Sequence, residues 1–240
     1  DFEAVDLLDS VGTPAFKIGS GDITYLEFLK YIAKKNKPIL LPTGASNISE
    51  IKQAIDVIKS TKNQKIILMQ SVTQYPSPLE DANIRAMVSM GKKFNLNFGY
   101  SDHAPGIIVP IASVALGACV IEKHFTDSKE NPGPDHPHSL NPVEFKEMVR
   151  RIRQVESGLG TGIKKVEKSE KQTRIIQRRS VFTIKEIKKG EKFTVENISC
   201  SRPCIGLPAS EFGKIINKKA KKLLKSFHAN HKIIHHLIYH

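Results

Sequence analysis

Short apolar runs rich in strand-forming residues return about every 22 to 31 positions through the first half of the chain, each followed by a helical pattern. Strands are expected over 15–20, 37–41, 65–71, 96–100 and 118–121, with helices over 2–11, 24–35, from Asn47 onward, 79–93, 107–117 and from Asn141 onward. Asn47 with Glu50, and Asn141-Pro142 with Glu144, have the spacing of capped helix starts. Repeated βα units call for a parallel sheet, either open or closed into a barrel.

Polar residues gather just after the apolar core of each strand: Lys17 and Ser20, Thr43, Thr73 and Tyr75, Ser101 and His103, Glu122 and His124. In a barrel these positions share the carboxyl-end face, where active sites are built. Within 99–135, two strand-like segments each end in a histidine, His103 and His124, with Asp102 and Glu122 close by. The helix between them returns the chain to the same sheet edge, so the two imidazoles are expected side by side, in position to bind a divalent metal.

At 240 residues, 40% hydrophobic and 25% charged, the chain can bury one large core or two smaller ones. No apolar run approaches the roughly 18 residues of a membrane span. The three cysteines, Cys119, Cys200 and Cys204, make no disulfide framework. Cys200 and Cys204 have no second pair for zinc and read as small buried residues, which points to a reducing, cytoplasmic setting. The +13 net charge is lopsided: residues 1–160 carry 18 basic and 18 acidic side chains, residues 161–240 carry 19 and 6. That break divides the chain into a unit over 1–157, a polar linker over 158–178 and a small β-rich module over 179–240, with strands at 180–184 and 193–195. Aromatic residues are sparse between Lys218, Lys219, Lys221 and Lys222, which disfavours a nucleic-acid arm. The start at Asp1, inside a helical pattern and without methionine, suggests a fragment, a processed chain or a trimmed one.

Six motifs occur in a telling order: Phe16-Lys17-Ile18-Gly19-Ser20-Gly21-Asp22, Pro42-Thr43-Gly44, Tyr75-Pro76-Ser77-Pro78, Ser101-Asp102-His103, Glu122-Lys123-His124-Phe125 and Gly133-Pro134-Asp135-His136. Together they resemble the sialic acid synthase family, which condenses phosphoenolpyruvate with N-acetylmannosamine. Ile187-Lys188-Lys189-Gly190-Glu191 and Ser201-Arg202-Pro203 resemble that family's C-terminal antifreeze-like (SAF) domain. The resemblance implies an α/β fold, a partial (β/α)8 TIM barrel whose strands correspond to the fourth to eighth, followed by the SAF domain. Five strands alone cannot close such a barrel.

The resemblance further implies that His103 and His124 hold Mn2+ or Mg2+, that Lys17, Ser20, Thr43 and Ser101 bind phosphoenolpyruvate, and that Thr73 is a further substrate contact. Tyr75 and Asp135 would contact the sugar, while Asp22 and Glu122 would serve proton transfer or orientation. Arg202 would reach the partner subunit's site in a domain-swapped homodimer. Thr73 stands where that family often has asparagine, and Pro42 where it often has serine. Legionaminic and pseudaminic acid synthases share these parts, and Gly133-Pro134-Asp135-His136 leans towards sialic or legionaminic acid. The missing strands motivate the alternative of an inactive remnant whose tail is a binding or assembly module.

Overall fold

The computed structural model describes residues 1–226; the end of the expected SAF segment, 227–240, lies outside the described residues. The chain divides into two compact units, Asp1–Gly162 and Ile163–His240.

In the first unit the order is α1 (Phe2–Ser10), β1 (Phe16–Lys17), α2 (Leu26–Lys34), β2 (Ile39–Pro42), α3 (Ile48–Ser60), β3 (Ile66–Ser71), α4 (Ile84–Phe94), β4 (Asn97–Asp102), α5 (Ile108–Ala115), β5 (Ile121–Lys123) and α6 (Pro142–Leu159). All five strands are parallel and lie in chain order, β1-β2-β3-β4-β5. A doubly wound sheet would reverse its order at a switch point, whereas a barrel adds each strand beside the last. The sheet is also curled. Flat, it would hold β1 and β5 about 19 Å apart at roughly 4.8 Å per strand. Instead Lys17 Nζ on β1 lies 3.0 Å from Glu122 Oε1 on β5, bridging the two edges. The sheet is an arc of a (β/α)8 barrel.

Sequence pattern sets the outer layer. Ile51, Ala54, Ile55 and Ile58 recur on one face of α3 and are buried with Phe28, Leu29 and Ile32 of α2 against Ile39, Leu41, Ile66 and Leu68. Both predicted helix starts form capping boxes, Asn47 with Glu50 and Asn141 with Glu144. The helix expected over 79–93 is split into a 3-10 turn at Leu79–Asp81 and α4, because Asn83 between them is left-handed (φ 42°). The fifth strand runs Ile121–Lys123, later than the expected 118–121. Gly117 (φ 100°) and the Ala118 N–H bonded to the Ser113 carbonyl at 2.9 Å still belong to the closing turn of α5.

In the second unit, α7 (Glu170–Gln177) forms within the segment expected to be linker. It is followed by β6 (Ser180–Thr183), β7 (Ile198–Ser201) and α8 (Phe212–Ile215). β6 pairs antiparallel with β7, so the strand expected at 193–195 is not the partner. Asn197 explains the shift: its Oδ1 accepts from Thr194 N at 2.8 Å and its Nδ2 donates to the Lys192 carbonyl at 2.9 Å, which makes 192–197 a turn. Val181, Ile187, Phe193, Ile198, Leu207, Ile215, Ala220 and Leu224 form this unit's own core. The three cysteines are free. Cys119 is exposed and Cys200 and Cys204 are half-buried, rather than buried as expected.

Candidate active site at the carboxyl ends of the strands

Register builds the centre of the site. Asp102 pairs with Lys123 across β4 and β5, so the next residue of each chain segment, His103 and His124, emerges beside the other. A buried ion pair locks this step: Lys123 Nζ lies 2.6 Å from Asp102 Oδ2, with both side chains 1% exposed. Lys123 also donates to the Ala104 carbonyl, and Asp102 Oδ1 accepts the Ala104 N–H at 2.9 Å. The turn carrying His103 is therefore clamped from both sides, and the two imidazole rings sit 5.3 Å apart.

His103 is buried, with Nδ1 2.7 Å from the Val72 carbonyl. A carbonyl only accepts, so Nδ1 carries the proton and Nε2 of the neutral ring keeps its lone pair. Burial holds the His103 pKa below its ordinary value, outweighing the Val72 bond that raises it. Burial likewise lowers His124, helped by the neighbouring His103. Both rings are neutral at pH 7, as ligation requires. A ring nitrogen bonded to a backbone carbonyl is also the usual support of a metal-ligating histidine.

Tyr75 covers this centre, its ring 4.1 Å from that of His103, 5.5 Å from His124 and 6.0 Å from His138. Burial and then the Glu122 and Asp135 charges raise its phenol pKa. Asp135 Oδ2 lies 3.9 Å from His124 Nδ1, and Asp135 Oδ1 lies 3.8 Å from His138 Nε2. His138, on the 3-10 turn His136–His138, is the residue that sequence reasoning missed. The signal was present in Asp135-His136-Pro137-His138, where two ligand-type side chains follow an aspartate. His136 does something else: its Nδ1 bonds the Thr126 hydroxyl at 2.6 Å.

The remaining candidates are spread over both units. Lys17 faces Glu122, whose second oxygen, Oε2, is buried without a hydrogen-bond partner. Ser20 and Thr73 flank Gly44: a Cβ there would lie 3.1 Å from Ser20 Oγ and 2.0 Å from Thr73 Oγ1. Thr43 is buried and its hydroxyl donates to the Met69 carbonyl at 3.1 Å, while buried Ser101 stands in register with Ser71 and Glu122. Asp22 is exposed on the 3-10 turn Ser20–Asp22. Arg202 belongs to the second unit, where its Nε donates to the Gln177 carbonyl at 2.7 Å. A separate cleft between α3 and α4, bordered by Asn47, Glu50, Asn83 and Lys93, carries Thr43 but none of the histidines.

The donor set fits a divalent ion. His124, Asp135 and His138 place their ligand atoms within 4.8 Å of one another, and imidazole with carboxylate suits first-row metals. No helix of the described residues is long and apolar enough to cross a membrane.

The chain is 47% identical over 94% of its length to the N,N'-diacetyllegionaminic acid synthase of Campylobacter jejuni, of which it covers 68%. It is 38% identical to the pseudaminic acid synthase of Helicobacter pylori, over 93% of the chain and 66% of the relative. Among solved structures it superposes on the Bacillus subtilis spore coat polysaccharide biosynthesis protein spsE with TM-score 0.63 and 35% identity, covering 94% of this chain and 68% of that one. The sialic acid synthetase of Leptospira borgpetersenii, solved with citrate, matches at TM-score 0.68 and 32% identity over 72% of this chain and 60% of that one. The chain thus spans about two thirds of the length of the proteins it matches. Its residues 1–164 match the NeuB family model and residues 178–226 the SAF domain model. With that match across the barrel segment and nearly half of the aligned positions shared with a legionaminic acid synthase, the chain belongs to the NeuB family.

Proposed function

We propose that this chain carries the strand-end half of a nonulosonic acid synthase site, which joins phosphoenolpyruvate to an N-acetylated amino sugar and releases phosphate. The observation that carries the reading is the cluster of Tyr75, His103, His124 and Asp135 at adjoining strand ends, facing a Lys17–Glu122 pair across the arc. The 47% identity to a legionaminic acid synthase supports a legionaminic-type sugar.

In the reaction, C3 of phosphoenolpyruvate attacks the sugar aldehyde carbon, forming the new C–C bond and leaving an oxocarbenium centre at C2. Water adds at C2, loses a proton, and the tetrahedral intermediate expels phosphate by C–O cleavage. Lys17, with the Ser20, Thr73 and Ser101 hydroxyls, would hold the phosphate and carboxylate, beside Thr43. The Thr43 hydroxyl hydrogen is committed to the Met69 carbonyl, so this residue acts by positioning its backbone. Tyr75 and Asp135 would fix the sugar hydroxyls. Glu122 Oε2, buried and unpartnered, is suited to take the proton of the added water, with Asp22 the second candidate. A Mn2+ or Mg2+ ion held by His103 and His124 would supply Lewis acidity at the aldehyde oxygen. Arg202 would act from the partner subunit of a domain-swapped dimer, in the cytoplasm.

The test is release of inorganic phosphate from phosphoenolpyruvate by the chain with Mn2+ and either N-acetylmannosamine or a 2,4-diacetamido hexose. Phosphate formed only when a sugar is present supports the synthase. Absence of release from a chain that is folded and binds Mn2+ rejects it and favours the remnant reading.

A further inference from the structure

His138 lies outside the expected metal pair, yet its surroundings are those of a ligand. Its side chain is 8% exposed, and its Nε2 is buried with no hydrogen-bond partner. Leaving such a nitrogen unpaired in the interior is unfavourable, so a partner of some kind is called for. The Asp135 carboxylate does not supply it, because 3.8 Å is beyond hydrogen-bonding range. The same carboxylate stands 3.9 Å from His124 Nδ1, equally too far, and the two imidazole rings are 5.1 Å apart. Metal–nitrogen and metal–oxygen bonds of about 2.1 Å put neighbouring donors roughly 3.0–3.5 Å apart around one ion. The two separations from Asp135 are a few tenths of an ångström wider than that, and all three donor atoms lie within 4.8 Å of one another.

We propose that His124, Asp135 and His138 form a three-ligand site for a first-row divalent metal ion, with His138 as an additional ligand beyond the His103–His124 pair. The proposal rests on the metal-dependent reading of the site given above and deepens it. Two imidazoles and one carboxylate make a set that prefers Mn2+, Fe2+, Co2+ or Zn2+ over Mg2+, whose ligands are mainly oxygens. Asp135 would then orient the metal as well as touch the sugar, since a carboxylate has two oxygens to share.

The experiment is a titration of the full chain with Mn2+, following free Mn2+ by its six-line electron paramagnetic resonance signal, with Mg2+ and Co2+ as competitors in separate runs. His138→Ala and His138→Gln are compared with His103→Ala and His124→Ala, and each metal-free melting temperature is measured in EDTA. Both His138 variants should weaken Mn2+ binding by about tenfold or more, as loss of a ligand or its support does, with the metal-free melting temperature retained. Mg2+ should compete at least about tenfold less well than Co2+. Unchanged Mn2+ affinity in His138→Gln overturns the proposal. If His103→Ala alone abolishes binding in the same series, the two-histidine reading still stands; if His124→Ala binds as tightly as the unaltered chain, both fall.

Discussion

Lys123 is the residue on which the spacing of the histidines depends. Its ammonium and the Asp102 carboxylate are withdrawn from water together, and each has further backbone partners around Ala104. Breaking a buried pair by removing one partner leaves an uncompensated charge and costs about 3–5 kcal/mol. Lys123→Met should therefore lower stability by that order in urea melts. Lys123→Met with Asp102→Asn should recover part of the loss, because no buried charge is then left alone. Equal destabilisation of the single and double variants would show that Asp102 is not stranded by the single change. This pair was in plain view in the sequence as Asp102 and Lys123, yet Asp102 reads there as a carboxylate beside a metal. Its role is structural, and that depends on cross-strand register, which local sequence does not encode. His138 escaped for a similar reason: its burial and its proximity to Asp135 arise from a 3-10 turn that periodicity does not reveal.

At the level of elements, helices with a capping box and a clear apolar face were legible, as α3 and α6 illustrate. Boundaries set by single residues were less so. Asn83 in the left-handed region cuts the fourth helix, and Gly117 delays β5. Gly99 in β4 is the most exacting position. A Cβ there would lie 2.4 Å from the Val120 carbonyl oxygen, a backbone atom that cannot swing aside. That carbonyl accepts the Tyr100 N–H at 3.0 Å, so Gly99→Ala would pry β5 from β4 just before the two histidines. A loss of about 1–3 kcal/mol is expected, measured by urea denaturation, together with weaker Mn2+ binding. A second prediction concerns α1, which is tied to the end of α2 by Asp6 bonded to Lys35 and Tyr31, each at 2.6 Å, and to the connection before β2 by Asp9 at 2.6 Å from Lys37. These bonds hold both carboxyl pKa values below their ordinary 3.8, with the Lys35 bond the main cause for Asp6 and the Lys37 bond for Asp9. A lowered folded-state pKa gives stability that is present above the unfolded value and lost as pH falls through the folded one. Amide hydrogen exchange in α1 should therefore quicken below about pH 4, and the effect should be small because the pairs are exposed. Asp6→Asn should blunt the pH dependence; an identical profile in that variant would remove these pairs as its cause.

For the whole molecule, the two compact units each have a hydrophobic core of their own. Both candidate metal groupings lie within the first unit, whereas Phe193, 1% exposed, sits at the centre of the second unit's core. Two calorimetric transitions are expected on this basis, and Mn2+ should raise only one of them. Binding to the folded form alone stabilises it by about 2.7 kcal/mol at a free metal concentration 100 times Kd, an ample shift for calorimetry. Phe193→Ala should lower the other transition, since removing a buried phenylalanine costs about 3–5 kcal/mol, and leave the metal-sensitive one in place. Assigning the transitions in this way tests the division directly. A single transition that both Mn2+ and Phe193→Ala displace would mean that the two cores melt as one cooperative body, and the barrel arc would then owe part of its stability to the segment that follows it.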